Sequence, residues 1–468
     1  MDSSQNIPPF HHALIFRKDL CIGCSHCMNV CPTEAIRVSQ GKAKLMDNRC
    51  VDCGACYRAC PVGAIIVEQD DFNEIYRYAC RVALIPAVFP GQFPESVTTE
   101  NILSGVKELG FTHVLEVEQG VEFLNDRTEK YMEEYRGVKP LISPFCPAIV
   151  RLIQVKFPTL VNQVIRLKAP VEITALYMRN RLINEGIDNE DIGIFYVTPC
   201  PAKIAALKSP VGETTTPING VINLNFIFNK VYKILRQNKQ IIHEPDFHTL
   251  TPRSICWSLT RGESTHRKGR SLAIDEIENV IEFLEKLENE EIDGIDFLEL
   301  RACDESCAGG ILCPGNRFVT AEKLRKRANE YPCGSEVETI TISKMGRIPA
   351  NDSYLDSRVG VGEIVPRSII KLDDKFADAM AKMRRIYTLS QLLPQVDCGI
   401  CGSPTCKSLA EDVVQTSADL RRCIFIQRIH EQNEWLESPE SVEIMREIWG
   451  EKKLDKNSMK ESANEYNK

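Results

Sequence analysis

Cys21-Ile22-Gly23-Cys24-Ser25-His26-Cys27-Met28-Asn29-Val30-Cys31-Pro32 is answered further on by Cys50-Val51-Asp52-Cys53-Gly54-Ala55-Cys56-Tyr57-Arg58-Ala59-Cys60-Pro61. Both runs read C-x2-C-x2-C-x3-C-P, the spacing by which thiolates wrap two 4Fe-4S cubes. The repeat continues into Thr33-Glu34-Ala35-Ile36 and Val62-Gly63-Ala64-Ile65, and each half ends in a β-prone run, Ile36–Val38 and Ile65–Val67. These residues mark a carrier of low-potential electrons. What the electrons are used for must be read elsewhere in the chain.

The remaining composition narrows the class. A chain of 468 residues can hold two to four domains, and 43% hydrophobic with 26% charged residues is ordinary for a globular protein. A net charge of −8 argues against nucleic-acid binding. No apolar run reaches the ~18 residues that would suggest a membrane span. Met1 to Phe10 shows neither a basic n-region nor an apolar h-region, so no signal peptide is expected. Twenty cysteines at these spacings, without an export signal, read as metal ligands and not disulfides. A reducing cytoplasm, in an anaerobic bacterium, is the expected location.

Residues 1–78 form the two-cluster unit. From 79 to 372, strand-like runs (Val82–Phe89, His113–Val117, Ile192–Val197, Phe297–Leu300) alternate with helical patterns. The clearest pattern, Asp275 to Ile292, places Ile277, Val280, Ile281, Leu284 and Leu287 on one face, with Asp275 as N-cap. Such alternation predicts an α/β core. Residues 373–440 read as helical, with Phe376, Ala379, Met380, Met383 and Tyr387 at 3–4 spacing, and 441–468 as a polar, partly disordered tail.

Three cysteine loops lie far apart in the middle region: Pro144-Phe145-Cys146-Pro147, Thr198-Pro199-Cys200-Pro201-Ala202-Lys203, and Ala302-Cys303-Asp304-Glu305-Ser306-Cys307-Ala308-Gly309-Gly310. Each follows a strand-like run, and strand C-terminal ends converge on ligand sites in α/β folds. On spacing alone the four cysteines read equally well as one metal site or as core thiols.

The N-terminal segment resembles the bacterial two-cluster ferredoxin, in which the fourth cysteine of each run ligates the other cluster. That resemblance implies one cube on Cys21, Cys24, Cys27 and Cys60, and another on Cys31, Cys50, Cys53 and Cys56. The three middle loops are similar to the three motifs of the FeFe hydrogenase catalytic domain, and Glu299, Gly110-Phe111 and Ala169-Pro170-Val171-Glu172 extend the similarity. It implies an α/β hydrogenase-type catalytic domain of two lobes around an H-cluster, a 4Fe-4S cube joined to a di-iron unit carrying CO, cyanide and a dithiolate amine. Cys146, Cys200, Cys303 and Cys307 would hold the cube, with Cys307 bridging, and Lys203 would contact a cyanide. A buried anionic ligand calls for such a charge-assisted donor.

The departures from that family are systematic. Where active members carry a proton-relaying cysteine, this chain has Phe145, which has no exchangeable proton. Thr198 replaces a methionine and Ala169 a serine of the same route. Cys256 or Glu305 could supply another proton route, although a core role for Cys256 is preferred. Cys80, Cys313 and Cys333 have no assignment, but Cys313 lies near the third loop in sequence.

These differences resemble the sensory branch of the family. Cys398-x2-Cys401-x4-Cys406-x16-Cys423 is similar to a small cluster-binding domain found in sensory hydrogenases, and Pro404-Thr405 fits a helix start beside it. Zinc is the alternative for this quartet. The implied function is slow reaction with H2 and protons in a hydrogen- or redox-sensing role. Electrons would pass through the auxiliary cubes to a partner such as ferredoxin, with a separate signalling partner and maturation proteins. The competing readings are a high-turnover hydrogenase with a different proton route and a di-iron-free scaffold or electron-transfer protein.

Overall fold

A computed structural model describes residues 10–237, 250–330, 348–349, 351–367, 372–373 and 375–455. The N-terminal unit is α+β. Strand β1 (Leu14–Phe16) comes first, then the hairpin of β2 (Ile36–Ser39) and β3 (Lys42–Leu45), then β4 (Ile65–Val67). β1 pairs antiparallel with β4, and β2 with β3. The hairpin closes on Gln40 and Gly41, both at positive φ (51° and 66°), the two-residue turn whose twist suits right-handed strands. Each short β-prone run expected after a cysteine repeat is a strand.

Seven further strands build the middle region: β5 (Cys80–Ile85), β6 (His113–Glu116), β7 (Leu141–Ile142), β8 (Ile192–Thr198), β9 (Gly220–Asn223), β10 (Ser271–Ile274) and β11 (Phe297–Leu300). They form two parallel sheets, ordered β6-β5-β8-β9 and β10-β11-β7. All seven residues of β8 and all four of β11 are buried, the continuous apolar run that a sheet covered on both faces requires. The mixed α/β content is as expected. β5 stops at Ile85, not Phe89, because Pro86 cannot donate to a ladder. The helix read from Asp275 starts at Ile277 and ends at Glu288. Its N-cap position is Glu276, at φ 66°, and Asp275 is used differently: its carboxylate accepts from the Glu305 N–H at 3.1 Å and the Thr260 hydroxyl at 2.7 Å.

The C-terminal unit has helices Phe376–Leu392, Cys406–Val414, Ile424–Gln432 and Ser438–Trp449. The last crosses the expected boundary at 440/441: it is ordered because it docks on the N-terminal hairpin. Gln40 N–H donates to Glu447 O (2.7 Å), Gly41 N–H to Ile448 O (3.0 Å), and Val38 N–H to Gly402 O (2.8 Å). A Cβ on Gly402 would lie 2.3 Å from Val38 O, so only glycine permits this approach. Behind the seam, Arg37 grips Asp412 through two bonds of 2.6 and 3.2 Å, both side chains nearly buried. The 3–4 spacing in Phe376–Leu392 is a helix, but Met380, Met383 and Tyr387 face outward, and Ile386 packs inward instead. Cys333 and residues 456–468 lie outside the described residues.

Candidate metal centres

The two N-terminal runs exchange their last cysteines in space. Cys27 has Cys24, Cys21 and Cys60 as electrostatic neighbours, and these four line one small cavity of about 20 Å³. Cys50, Cys53 and Cys56 all have Cys31 as a neighbour from the other run, and Cys56 has Cys27 as well. Burial, then the adjacent thiols, push Cys27 up to about 12; burial and Cys31 do the same for Cys53. Thiolates packed together away from water need a compensating cation, and an iron–sulfide core is one. Backbone amides already point at the sulfurs. Ala35 N–H reaches Cys31 Sγ and Ala64 N–H reaches Cys60 Sγ, each at 3.2 Å, the same bond in both halves of the repeat.

In the middle region the two sheets deliver ligands to one place. The chain leaving β7 brings Cys146, that leaving β8 brings Cys200, and that leaving β11 brings Cys303 and Cys307. Cys200, Cys146 and Cys307 are the electrostatic neighbours of Cys303. Cys146 and Cys200 are the N-cap residues of helices Pro147–Lys156 and Pro201–Lys208, each with proline at its start. Free N–H groups and the positive helix ends thus lie beside both sulfurs. Glu305 and Ser306 take left-handed conformations in succession (φ 55° and 52°), a strained turn that sets Cys303 and Cys307 on the same site.

Lys203 lies across this quartet. Its Nζ is 3.4 Å from Cys307 Sγ and 4.4 Å from the centre of the Phe145 ring. Burial works against its charge, but Cys307, Tyr196 and Cys200 outweigh it and hold Lys203 above the ordinary lysine range. The Arg301 guanidinium covers the same ring at 4.1 Å, and Trp257 meets it edge-on with centroids 6.4 Å apart. Phe145 is therefore clamped between two cations and an indole. It also forms part of the wall of a cavity of about 110 Å³, shared with Lys203, Tyr196, Ala169 and Glu172. The Tyr196 hydroxyl is buried without a hydrogen-bond partner among the described residues. Glu118 is pushed up to about 8 by burial and by Glu116, partly offset by the Ala87 N–H at 2.8 Å and by Lys203.

Four soft thiolates, a buried ammonium on one of them, an adjoining cavity and an orphaned hydroxyl fit an iron–sulfur cube with a small anionic group beside it. Cys313 joins the quartet: its Sγ is 3.5 Å from Cys307 O, and burial with Cys307 and Cys200 raises its pKa strongly. The Glu305 carboxylate is bound by Arg325 at 2.9 Å, and Arg325 is also the charged neighbour of Cys256. Cys80 bonds Thr112 and His113 at the start of β5.

Behind Phe145, sequence reasoning singled out Glu299 but gave no role to Glu263 or Arg301. Glu263 Oε1 accepts from Ser143 Oγ (2.8 Å) and Arg301 Nη2 (2.5 Å), and Glu299 accepts from three backbone N–H groups of residues 261–264. The charged pair Glu299 and Arg301, flanking the last strand residue before Cys303, was the available signal. Arg151 was missed as well. Its guanidinium is buried, with Nη1 2.8 Å from Asp52 and 2.9 Å from His11 O, and Nη2 3.0 Å from Ala205 O. One side chain ties an N-terminal cysteine loop to the helices that follow Cys146 and Cys200.

The C-terminal quartet also converges: Cys423, Cys398 and Cys406 surround Cys401, whose thiol burial pushes up to about 11. Thr405 caps the helix that begins at Cys406 by accepting from Ser408 N–H. Among the described cysteines Cys398 is the exposed one.

Comparison with known proteins gives matches in three parts of the chain. Residues 80–224 match the family model of the iron-only hydrogenase large subunit, C-terminal domain; 13–61 match a 4Fe-4S dicluster domain, and 393–425 an Fe-S cluster family. The chain is similar to the NADP-reducing hydrogenase subunit HndD of Solidesulfovibrio fructosivorans, 26% identical over 198 residues. That match covers 39% of this chain and 30% of that subunit. A solved FeFe hydrogenase caught in stepwise H-cluster assembly is 16% identical, with TM-score 0.42, over 64% of this chain and 96% of its own. One from Chlamydomonas reinhardtii is 15% identical, with TM-score 0.39, over 61% and 94%. No helix among the described residues is long and apolar enough to cross a membrane. Over residues 80–224 the chain is thus similar in sequence to the FeFe hydrogenase family.

Proposed function

We propose that this protein binds an H-cluster at Cys146, Cys200, Cys303 and Cys307, with Cys307 bridging and Lys203 holding the di-iron unit, and reacts with H2 slowly in a hydrogen- or redox-sensing role. Two cubes in the N-terminal unit and one in the C-terminal unit would carry its electrons. The observation that carries the reading is Phe145. It forms part of the cavity wall beside Lys203, where a proton donor would have to stand, and it offers none.

When bound, the di-iron unit supplies heterolytic H2 chemistry. The chain's own residues do the rest. Lys203 neutralises negative charge at the Cys307 end, and its burial strengthens that attraction. The Phe145 ring keeps Lys203 in place through a cation–π contact and blocks proton movement towards Ser143 and Glu263 behind it. A general acid contributes typically 10²–10⁴-fold, so its absence accounts for a slow reaction. Arg151 and Arg58, the latter bound to Gly309 O, hold the N-terminal unit against the loops of the quartet. The test is infrared spectroscopy of the matured protein with and without H2, alongside a gas assay. CO and cyanide bands that shift under H2 at low turnover are expected. Absent bands would leave the scaffold reading, and turnover well inside the usual 1–10³ s⁻¹ of enzymes would leave the high-turnover one.

A further inference from the structure

Helix Phe376–Leu392 has an exposed stripe for which the fold gives no use. Met380, Met383 and Tyr387 lie on one face, 36%, 55% and 68% exposed. Further along the chain Leu392, Val396 and Ile400 are exposed as well, and so is Cys398. Residues 375–392 hold four basic residues and one acidic, in a chain whose net charge is −8. Lys382 is paired with Asp373, but Lys375, Arg384 and Arg385 are exposed with no acid partner among the described residues. The inner face of the helix, at Ile386, packs on the core that contains Cys401, Cys406 and Cys423.

We infer that this face is the docking site for a small acidic iron–sulfur carrier protein, which exchanges single electrons with the C-terminal quartet through its exposed Cys398 edge. Methionines adapt to a partner's surface, and unpaired arginines steer an acidic one. The size suits a weak electron-transfer contact: a 17-residue helix is about 25 Å long, and such interfaces fall at the small end of the range. A second copy of the chain is a poorer occupant, since a two-fold contact through this face would set Arg384 against its own equivalent. In the transfer no bond forms or breaks. The reduced carrier loses one electron and the C-terminal cube gains it. The inference rests on the proposed C-terminal cube only for this last step; the binding face stands without it.

The test uses the full-length, cluster-loaded protein and a small acidic 4Fe-4S ferredoxin, with affinity from calorimetry and electron transfer from stopped-flow absorbance. R384E/R385E should slow association about tenfold or more at low salt, and added salt should bring the unsubstituted protein towards it. Met383→Ser, which adds no charge, should weaken binding without changing the salt dependence, and Lys286→Glu on another helix should do nothing. Unchanged binding in R384E/R385E overturns the inference. So does self-association in the ultracentrifuge that R384E/R385E abolishes, which would assign the face to a second copy. Iron content and paramagnetic resonance of Cys401→Ser test the cube separately: arginine-dependent binding without that iron keeps the face and removes the cluster.

Discussion

The eight N-terminal cysteines and the four middle ones are gathered by opposite means. In the first group, local spacing and a repeated turn place each sulfur, and backbone amides from the same loops point at them. In the second, thiols come from three strand ends in two sheets, and the charge that meets the sulfur is a side chain, Lys203. The first arrangement can form wherever the loops fold. The second exists only if the tertiary structure is in register, and this dependence makes the two groups separable by experiment.

The largest expected effect comes from Cys307→Ser. It should remove all CO and cyanide bands from matured protein while leaving the roughly eight irons of two N-terminal cubes. Cys53→Ser should do the converse, costing about four irons and sparing the bands. If Cys307→Ser keeps its bands, the middle quartet is not the site.

The next effect is on stability. Arg151→Ala leaves the Asp52 carboxylate buried with only His12 and a backbone amide for company. Losing one partner of a buried pair costs about 3–5 kcal/mol, to be read from denaturant midpoints. Lys in place of Arg151 should recover little, because its single ammonium cannot reach His11 O, Asp52 and Ala205 O together. A loss under 1 kcal/mol would mean that the N-terminal unit and the middle region are not fastened there.

This pin marks the limit of what could be read from sequence. The N-terminal unit was legible because covalent spacing sets its geometry, and the strands β8 and β11 because burial on both faces demands unbroken apolar runs. Lys203 was legible through Cys200, one helical turn before it. Arg151, Arg301 and Glu263 were not, since a charge in a helix or loop reads as solvated until its partner, 38 to 120 residues away, is found beside it. The outward stripe of Met380, Met383 and Tyr387 misled for the complementary reason: 3–4 spacing announces a helix face, not what covers it.

Phe145→Cys tests the contrast at the point where the middle site departs from the family it resembles. A thiol there would stand between the Lys203 cavity and the Ser143–Glu263 pair, so H2 turnover should rise about 10²-fold. Phe145→Leu, which opens space without supplying a proton, should give no such gain. Equal rates in the two variants would show that steric exclusion, and not the missing proton, slows the site.

The smallest effect concerns Glu118, whose carboxyl is raised to about 8 by burial. A carboxyl raised on folding binds more protons in the folded state than in the unfolded one. Its contribution to stability is therefore complete below the ordinary carboxylate range and is lost as pH rises towards about 8. Glu118→Gln keeps an oxygen for the Ala87 N–H but cannot ionise. Unfolding free energy measured from pH 5 to pH 9 should then fall with pH more steeply in the unsubstituted protein than in the variant, the two curves separating most above pH 8. Loading the middle site sharpens the reading, because a cluster that engages Lys203 draws its charge away from Glu118. The separation should widen with the cluster bound, and parallel curves in both states would show that Glu118 does not feel the site at all.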